Sequence, residues 1–345
     1  MTLPRTEPGE GQATEARIRW QRRHVLATDD WSREEIELVL QQGEAMLEVL
    51  ARPMRRTPAL RGRTVVLFFA EASTRTRVSF ELAAKALSAD VVNVTVSGSS
   101  VEKGESLLDT VRTLQALGGD ILVMRHAASG APYFVAERVA SAVINAGDGW
   151  HAHPTQGLLD ALTLRSALGD LAGKRVVVVG DVLHSRVARS DIHTLVPLGA
   201  SVTLSGPPTL VPMAWRCGQT PRGVDYEEDL DRALEGADAV IALRLQRERQ
   251  EAGLLPSLRE YAHAWGLTEE RVSRMRPGAP VLHPGPMNEG IEIDAAVAHG
   301  PRSLIERQVT NGVAVRMALL HLLAGTPAEA DPGWQGAEPP AMSRR

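Results

Sequence analysis

The sequence predicts an α/β protein made of two doubly wound parallel-sheet domains joined by interdomain helices. Short apolar runs of strand length, near 64–69, 91–96, 121–124 and 143–146, alternate with segments of helical spacing. That alternation belongs to a parallel sheet with crossover helices. A second series opens at Arg175-Val176-Val177-Val178-Val179 and continues near 201–204, 239–243 and 280–282. At 345 residues the chain is long enough for two separate cores.

The elements follow in order. Ser32 and Glu35 form a capping box for a first helix, and Trp31 is placed to staple onto Ile36. Ile36, Val39, Leu40, Met46, Leu47 and Leu50 keep helical spacing until Pro53. Further helices are expected near 75–88, 105–117 and 131–142, the first with Val78, Leu82 and Leu87 as its apolar contacts. Ser97-Gly98-Ser99-Ser100-Val101-Glu102-Lys103-Gly104 reads, taken alone, as a solvated loop. A helix from Pro154 to about Leu168 connects the domains. Proline suits its first position, which sets His153 near the N-cap and Gln156 in the first turn. A last helix with Val309, Val313, Met317 and Leu320 returns to pack on the first domain. The expected domains are 20–153, completed by a C-terminal helix of about 306–325, and 154–305; 1–19 and 326–345 read as flexible tails.

Composition narrows the function. A formal net charge of −4 gives no support to nucleic-acid or membrane-surface binding. The single cysteine, Cys217, excludes an intrachain disulfide and a thiolate zinc cluster, and fits a reducing, cytoplasmic setting. No apolar run approaches 18 residues, and the first 20 residues lack the apolar stretch of a secretory signal. No metal and no cofactor is expected. His151 and His153 lack a third ligand at recognisable spacing, and Gly180-Asp181-Val182-Leu183 is not a dinucleotide fingerprint.

The chemistry-bearing residues sit where strands end. Phe68-Phe69 runs into Ala70-Glu71-Ala72-Ser73-Thr74-Arg75-Thr76-Arg77, a turn opening a helix, without the P-loop pattern. Free N–H groups at a helix start, three hydroxyls and an arginine fork make a socket for a tetrahedral dianion. The plain alternative is an N-cap followed by surface arginines. Arg125, Arg186, Arg244 and Gln246 also follow strands, where ligands bind in open α/β sheets; for Arg125 a structural salt bridge competes. His283-Pro284-Gly285-Pro286 is a rigid turn that presents backbone groups. The cleft so assembled is cationic, without paired carboxylates or a cysteine nucleophile. It suits a small phosphorylated substrate and a partner bearing carboxylates.

Ser73-Thr74-Arg75-Thr76-Arg77, His153-Pro154-Thr155-Gln156 and His283-Pro284-Gly285-Pro286, in this order and spacing, resemble the carbamoyltransferase family over roughly residues 20–325, and within it the aspartate branch. The resemblance implies that Ser73, Thr74, Arg75 and Thr76 hold the phosphate of carbamoyl phosphate. It implies that Thr76, Arg125 and His153 bind the carbonyl oxygen, and that Gln156 and the backbone at Pro284, Gly285 and Pro286 hold the carbamoyl amide. Arg75, Thr76, Arg125 and His153 would form the catalytic set. Arg186, Arg244 and Gln246, with Lys103, would bind L-aspartate. Ser99 and Lys103 would come from a neighbouring subunit of a homotrimer. The implied reaction is an early step of pyrimidine biosynthesis, and a regulatory chain or a dihydroorotase is a possible partner. An ornithine-type enzyme and a non-catalytic scaffold are the rival readings. The stretch from Arg247 to Trp265 looks shorter than in the most familiar bacterial member of the family.

Overall fold

A computed structural model describes residues 20–95, 106–245, 254–255 and 257–325. Sheet one contains β1 (Thr64–Phe69), β2 (Asp90–Thr95), β3 (Ile121–His126) and β4 (Ala142–Asp148). Sheet two contains β5 (Arg175–Val179), β6 (Ser201–Ser205), β7 (Val224–Tyr226), β8 (Ala239–Ala242) and β9 (Val281–Leu282). The strand orders are β2-β1-β3-β4 and β7-β6-β5-β8-β9, and every pairing is parallel. Both orders place the first strand inside its sheet and reverse direction beside it, so each sheet has a switch point at its carboxyl edge.

The helices are α1 (Arg33–Leu50), α2 (Thr74–Ala86), α3 (Leu107–Ala116), α4 (Ala131–Ala136), α5 (Pro154–Leu168) and α6 (Arg186–Leu195). They continue as α7 (Met213–Arg216), α8 (Leu230–Leu234), α9 (Leu258–Trp265), α10 (Glu269–Ser273), α11 (Ala295–Ala298) and α12 (Ile305–Ala324). The capping box of α1 forms in both directions: the Ser32 hydroxyl accepts from the Glu35 N–H, and Glu35 Oε2 accepts from the Ser32 N–H. Trp31 and Ile36 are both buried in the core that α1 enters.

Two helices tie the sheets together. α5 is buried along its length from Pro154 to Leu164, which is why its apolar residues are not confined to one face. It packs on α6, while α12 crosses α1, α2 and α5. Close approach of α5 to α6 depends on Gly157, where an added Cβ would lie 2.6 Å from the Ser190 carbonyl oxygen. One apolar cluster consequently runs from Val65 and Leu67 of β1 through Leu158 and Leu162 of α5 to Val176 and Val178 of β5.

Three local expectations change. Val78 and Leu82 face outward, 42% and 53% exposed, whereas Phe80, Ala83, Ala84 and Leu87 are buried. The inward face of α2 is therefore rotated away from the expected one. α4 stops at Ala136 because the chain must turn to enter β4 at Ala142; Gln115 Oε1 accepts from the Ala140 N–H in that turn. β7 was not anticipated, its three residues being too few to carry a periodic signal. The expected roles of Ser99, Lys103 and Gln246 fall outside the described residues. Among the described residues, no helix is long and apolar enough to cross a membrane.

Candidate active site

A cavity of about 620 Å³ opens where the carboxyl edges of the two sheets face each other. Ser73, Thr74, Arg75, Thr76, Arg125, His153, Gln156, Arg186, Arg244, Pro284, Gly285 and Pro286 all line it. Every expected site residue within the described part of the chain therefore reaches one place. Among the described residues that line it, five are arginines (Arg75, Arg125, Arg186, Arg244, Arg316) and only Glu71 is acidic. Enclosed by low-dielectric walls, such an excess of one sign concentrates anions.

The turn from β1 into α2 supplies the anion socket. Ser73 is the N-cap in an extended conformation, and its hydroxyl makes no capping bond. Thr74, Arg75 and Thr76 form the first helical turn, whose N–H groups lack intrahelical acceptors. The Arg75 guanidinium donates from Nη1 to the Pro284 carbonyl (2.7 Å) and thus spans from the first unit to the second. Gly285 makes this possible. Its φ is +64°, and a Cβ there would occupy the space of the Arg75 guanidinium.

Glu71 was not singled out in the sequence, although it sits two residues before Ser73. Its Oε1 accepts from Arg125 Nη2 (2.7 Å) and from Arg186 Nη2 (2.7 Å), and its Oε2 from Arg186 Nη1 (3.1 Å). Arg125 comes from the end of β3 and Arg186 from the first turn of α6, so one carboxylate orients cations delivered by both units. The salt-bridge reading and the binding reading of Arg125 hold together: it pairs with Glu71 and lines the cavity.

His153 is the N-cap of α5 without a side-chain cap bond, and only 5% exposed. Burial holds its pKa well below the ordinary histidine value, with Arg125, Arg186 and Arg316 adding repulsion. A neutral imidazole carries one N–H to donate. Arg316, buried on α12, was also missed. It donates from Nη1 to Ser79 Oγ (2.8 Å) and its guanidinium sits 5.1 Å from the Phe80 ring centroid. Burial pushes its pKa down to about 9, which leaves it charged at neutral pH.

The turn at His283 is held by Glu292. His283 Nε2 contacts Glu292 Oε2 (3.1 Å), while the Leu245 N–H donates to Glu292 Oε1 (2.7 Å). His283 Nδ1 accepts from the Gly285 N–H (2.8 Å). The turn and the strand end carrying Arg244 are thereby anchored to one carboxylate. Among the described residues, no group of three or more His, Cys, Asp or Glu is placed to hold a metal ion.

The fold and the cavity define an enzyme-like two-unit α/β architecture with an anion site across the unit boundary. Residues 23–166 match the aspartate/ornithine carbamoyltransferase carbamoyl-P binding domain, and residues 172–323 match the Asp/Orn binding domain. The aspartate carbamoyltransferase catalytic subunit of Chloroflexus aurantiacus is 60% identical over 305 residues, 88% of this chain and 99% of that one. Aspartate transcarbamoylase from Trypanosoma cruzi, solved in complex with N-(phosphonacetyl)-L-aspartic acid, is 31% identical with a TM-score of 0.78, over 88% of this chain and 96% of that one. Ornithine carbamoyltransferase from Pyrococcus furiosus is 25% identical with a TM-score of 0.80, over 90% of this chain and 100% of that one. The chain belongs to the aspartate/ornithine carbamoyltransferase family. Backbone similarity reaches both branches, so the choice of second substrate has to be argued from side chains and from sequence identity.

Proposed function

We propose that this chain transfers the carbamoyl group of carbamoyl phosphate to the amine of L-aspartate, giving N-carbamoyl-L-aspartate and phosphate. The observation that carries the choice is the balance of the cavity wall among the described residues, five arginines against one carboxylate already bonded to two of them. L-aspartate brings two carboxylates and needs cations. An ornithine side chain would bring a cation and need an acid. The 60% identity to a catalytic subunit of the aspartate type supports the same choice. Cys217 is exposed on the turn after α7, and the His283–Pro286 turn carries no thiol.

Ser73, Thr74, Arg75 and Thr76 hold the phosphate. Thr76, Arg125 and His153 donate to the carbonyl oxygen, where negative charge grows as the amine adds to the carbon; fixed donors stabilise that charge as in an oxyanion hole. Gln156 and the backbone at Pro284 to Pro286 hold the carbamoyl nitrogen. Arg186 and Arg244, with Gln246, bind the aspartate carboxylates. The N–C bond forms, the bond from carbon to the phosphate oxygen breaks, and the amine proton leaves with the phosphate dianion. His153, neutral and next to three cations, serves as a donor and not as the base. Holding two anions face to face is the main part of the catalysis, and the arginines offset their repulsion.

The domains of this reading are 20–153, completed by the helix at about 306–325, and 154–305. The working unit is a cytoplasmic homotrimer in which Ser99 and Lys103 reach a neighbouring subunit's site. The exposed Val78, Leu82 and Val92, on α2 and the edge strand β2, support an interface on that side. A regulatory chain or a dihydroorotase is a compatible further partner. The test is a product assay with carbamoyl phosphate and either L-aspartate or L-ornithine. N-carbamoyl-L-aspartate is expected; citrulline would overturn the substrate, and neither product would overturn the activity.

A further inference from the structure

Behind the cavity wall runs a chain of hydrogen bonds whose direction is fixed at one end. The backbone N–H of His283 can only donate, and it donates to Gln308 Oε1 (2.9 Å). Gln308 therefore turns its Nε2 the other way, where it donates to Asp160 Oδ1 (2.6 Å). Asp160 also accepts from Gln156 Nε2, at 3.1 Å to each carboxylate oxygen. Asp160 is fully buried, and Gln156 and Gln308 are 7% and 3% exposed.

Asp191 of α6 is a second fully buried carboxyl beside this chain, close enough to Asp160 for the two to perturb each other's ionisation. Two neighbouring carboxyls buried inside a protein do not both ionise readily. Asp160 has two amide donors and the nearby positive charge of Arg316; Asp191 has neither. The proton therefore resides on Asp191, and Asp160 carries the charge. An ionised Asp160 can only accept. Gln156 must give it the NH2 group, and its Oε1 is left to face the cavity it lines.

We propose that Asp160 is a positioning residue that makes the carbamoyl subsite selective for an NH2 group, by locking the amide of Gln156 with its oxygen toward the substrate. The inference rests on the carbamoyl phosphate reading above. A carbamoyl nitrogen offers that oxygen two donors, whereas a methyl group in its place offers none. An amide free to flip would present NH2 to NH2 and lose the distinction. A site built to satisfy a donor rejects an analogue lacking it, because its own polar group is then left unpaired.

The test uses the full chain and two unreactive probes of one shape, phosphonoacetamide and acetonylphosphonate, which differ only as NH2 and CH3. Affinities are measured by titration calorimetry on the wild type and on Asp160→Asn, whose own amide can donate to Gln156 and turn it round. The wild type is expected to bind the amide at least about tenfold tighter than the ketone. In Asp160→Asn the two affinities converge to within about twofold, while ketone affinity stays near its wild-type value. A merely structural role would weaken both probes together. A folded Asp160→Asn that keeps the wild-type ratio overturns the proposal, and so does equal affinity in the wild type, a readout that needs no variant. A wild type that binds neither probe and makes no carbamoyl aspartate fails the functional reading instead.

Discussion

Replacing Asp191 by Asn should stabilise the protein, and by an amount that grows with pH. Asn has nearly the same shape as a protonated Asp, so the packing of α5 on α6 is unchanged. What changes is proton linkage. Burial and the neighbouring Asp160 raise the Asp191 pKa well above its ordinary value of 3.8. The sign follows: for a carboxyl whose folded pKa is raised, the folded state binds a proton that the unfolded state has already lost. Its stabilising contribution is complete below pH 3.8 and is lost as pH rises. Each pH unit over which the folded protein keeps that proton costs about 1.4 kcal/mol. The asparagine side chain carries no such cost, so the gap between variant and wild type should open near pH 4 and widen by about 1.4 kcal/mol per unit toward neutrality. Asp160, raised to about 6, titrates in both proteins and largely cancels. Equilibrium urea unfolding between pH 4.5 and 7.5, followed through the six tryptophans at fixed protomer concentration, measures the gap. Parallel stability curves for the two proteins would mean that Asp191 is not the protonated partner.

Gly285→Ala should raise KM for carbamoyl phosphate by roughly a hundredfold, because the new Cβ takes the space of the Arg75 guanidinium at a φ of +64° that Ala adopts poorly; an unchanged KM would refute the close approach. Glu71→Gln should lower kcat/KM for L-aspartate by about tenfold to a hundredfold through two guanidiniums left to repel, with a loss of roughly 3 kcal/mol in stability. Unaltered kinetics would show that Arg125 and Arg186 hold their places without it. His153→Ala should lower turnover by about two powers of ten. It should not remove an acid limb from the kcat–pH profile, since burial and three arginines keep the imidazole neutral throughout. Disappearance of a limb near pH 6.5 would make His153 a titrating base.

The residues readable in the sequence are those whose position follows from chain direction alone. A side chain placed just after a buried parallel strand must emerge at the sheet's carboxyl edge, so Arg125 and Arg244 could be located without coordinates; a similar argument places Arg186 and the Ser73–Thr76 turn. Glu71 stood in the same turn but carried the wrong sign for a cationic cleft. Its function, orienting two arginines from different units, exists only once the sheets face each other. Arg316 and Gln308 lie on a long helix, where polar residues normally mark the solvent face; here α12 packs against α1, α2 and α5, and these two residues fall on its buried side and line the cavity. The outward turn of Val78 and Leu82 has a related cause. Helical spacing fixes which residues share a face but not which face meets the sheet, and α12 settles that by packing Arg316 against Ser79 and Phe80. Asp160 and Asp191 are 31 positions apart in the sequence and meet because Gly157 lets two helices approach. The hidden part of the site thus consists of residues that act on other residues. Such roles need three-dimensional neighbours to be defined, whereas the groups expected to touch the substrate are already fixed by the order of strands.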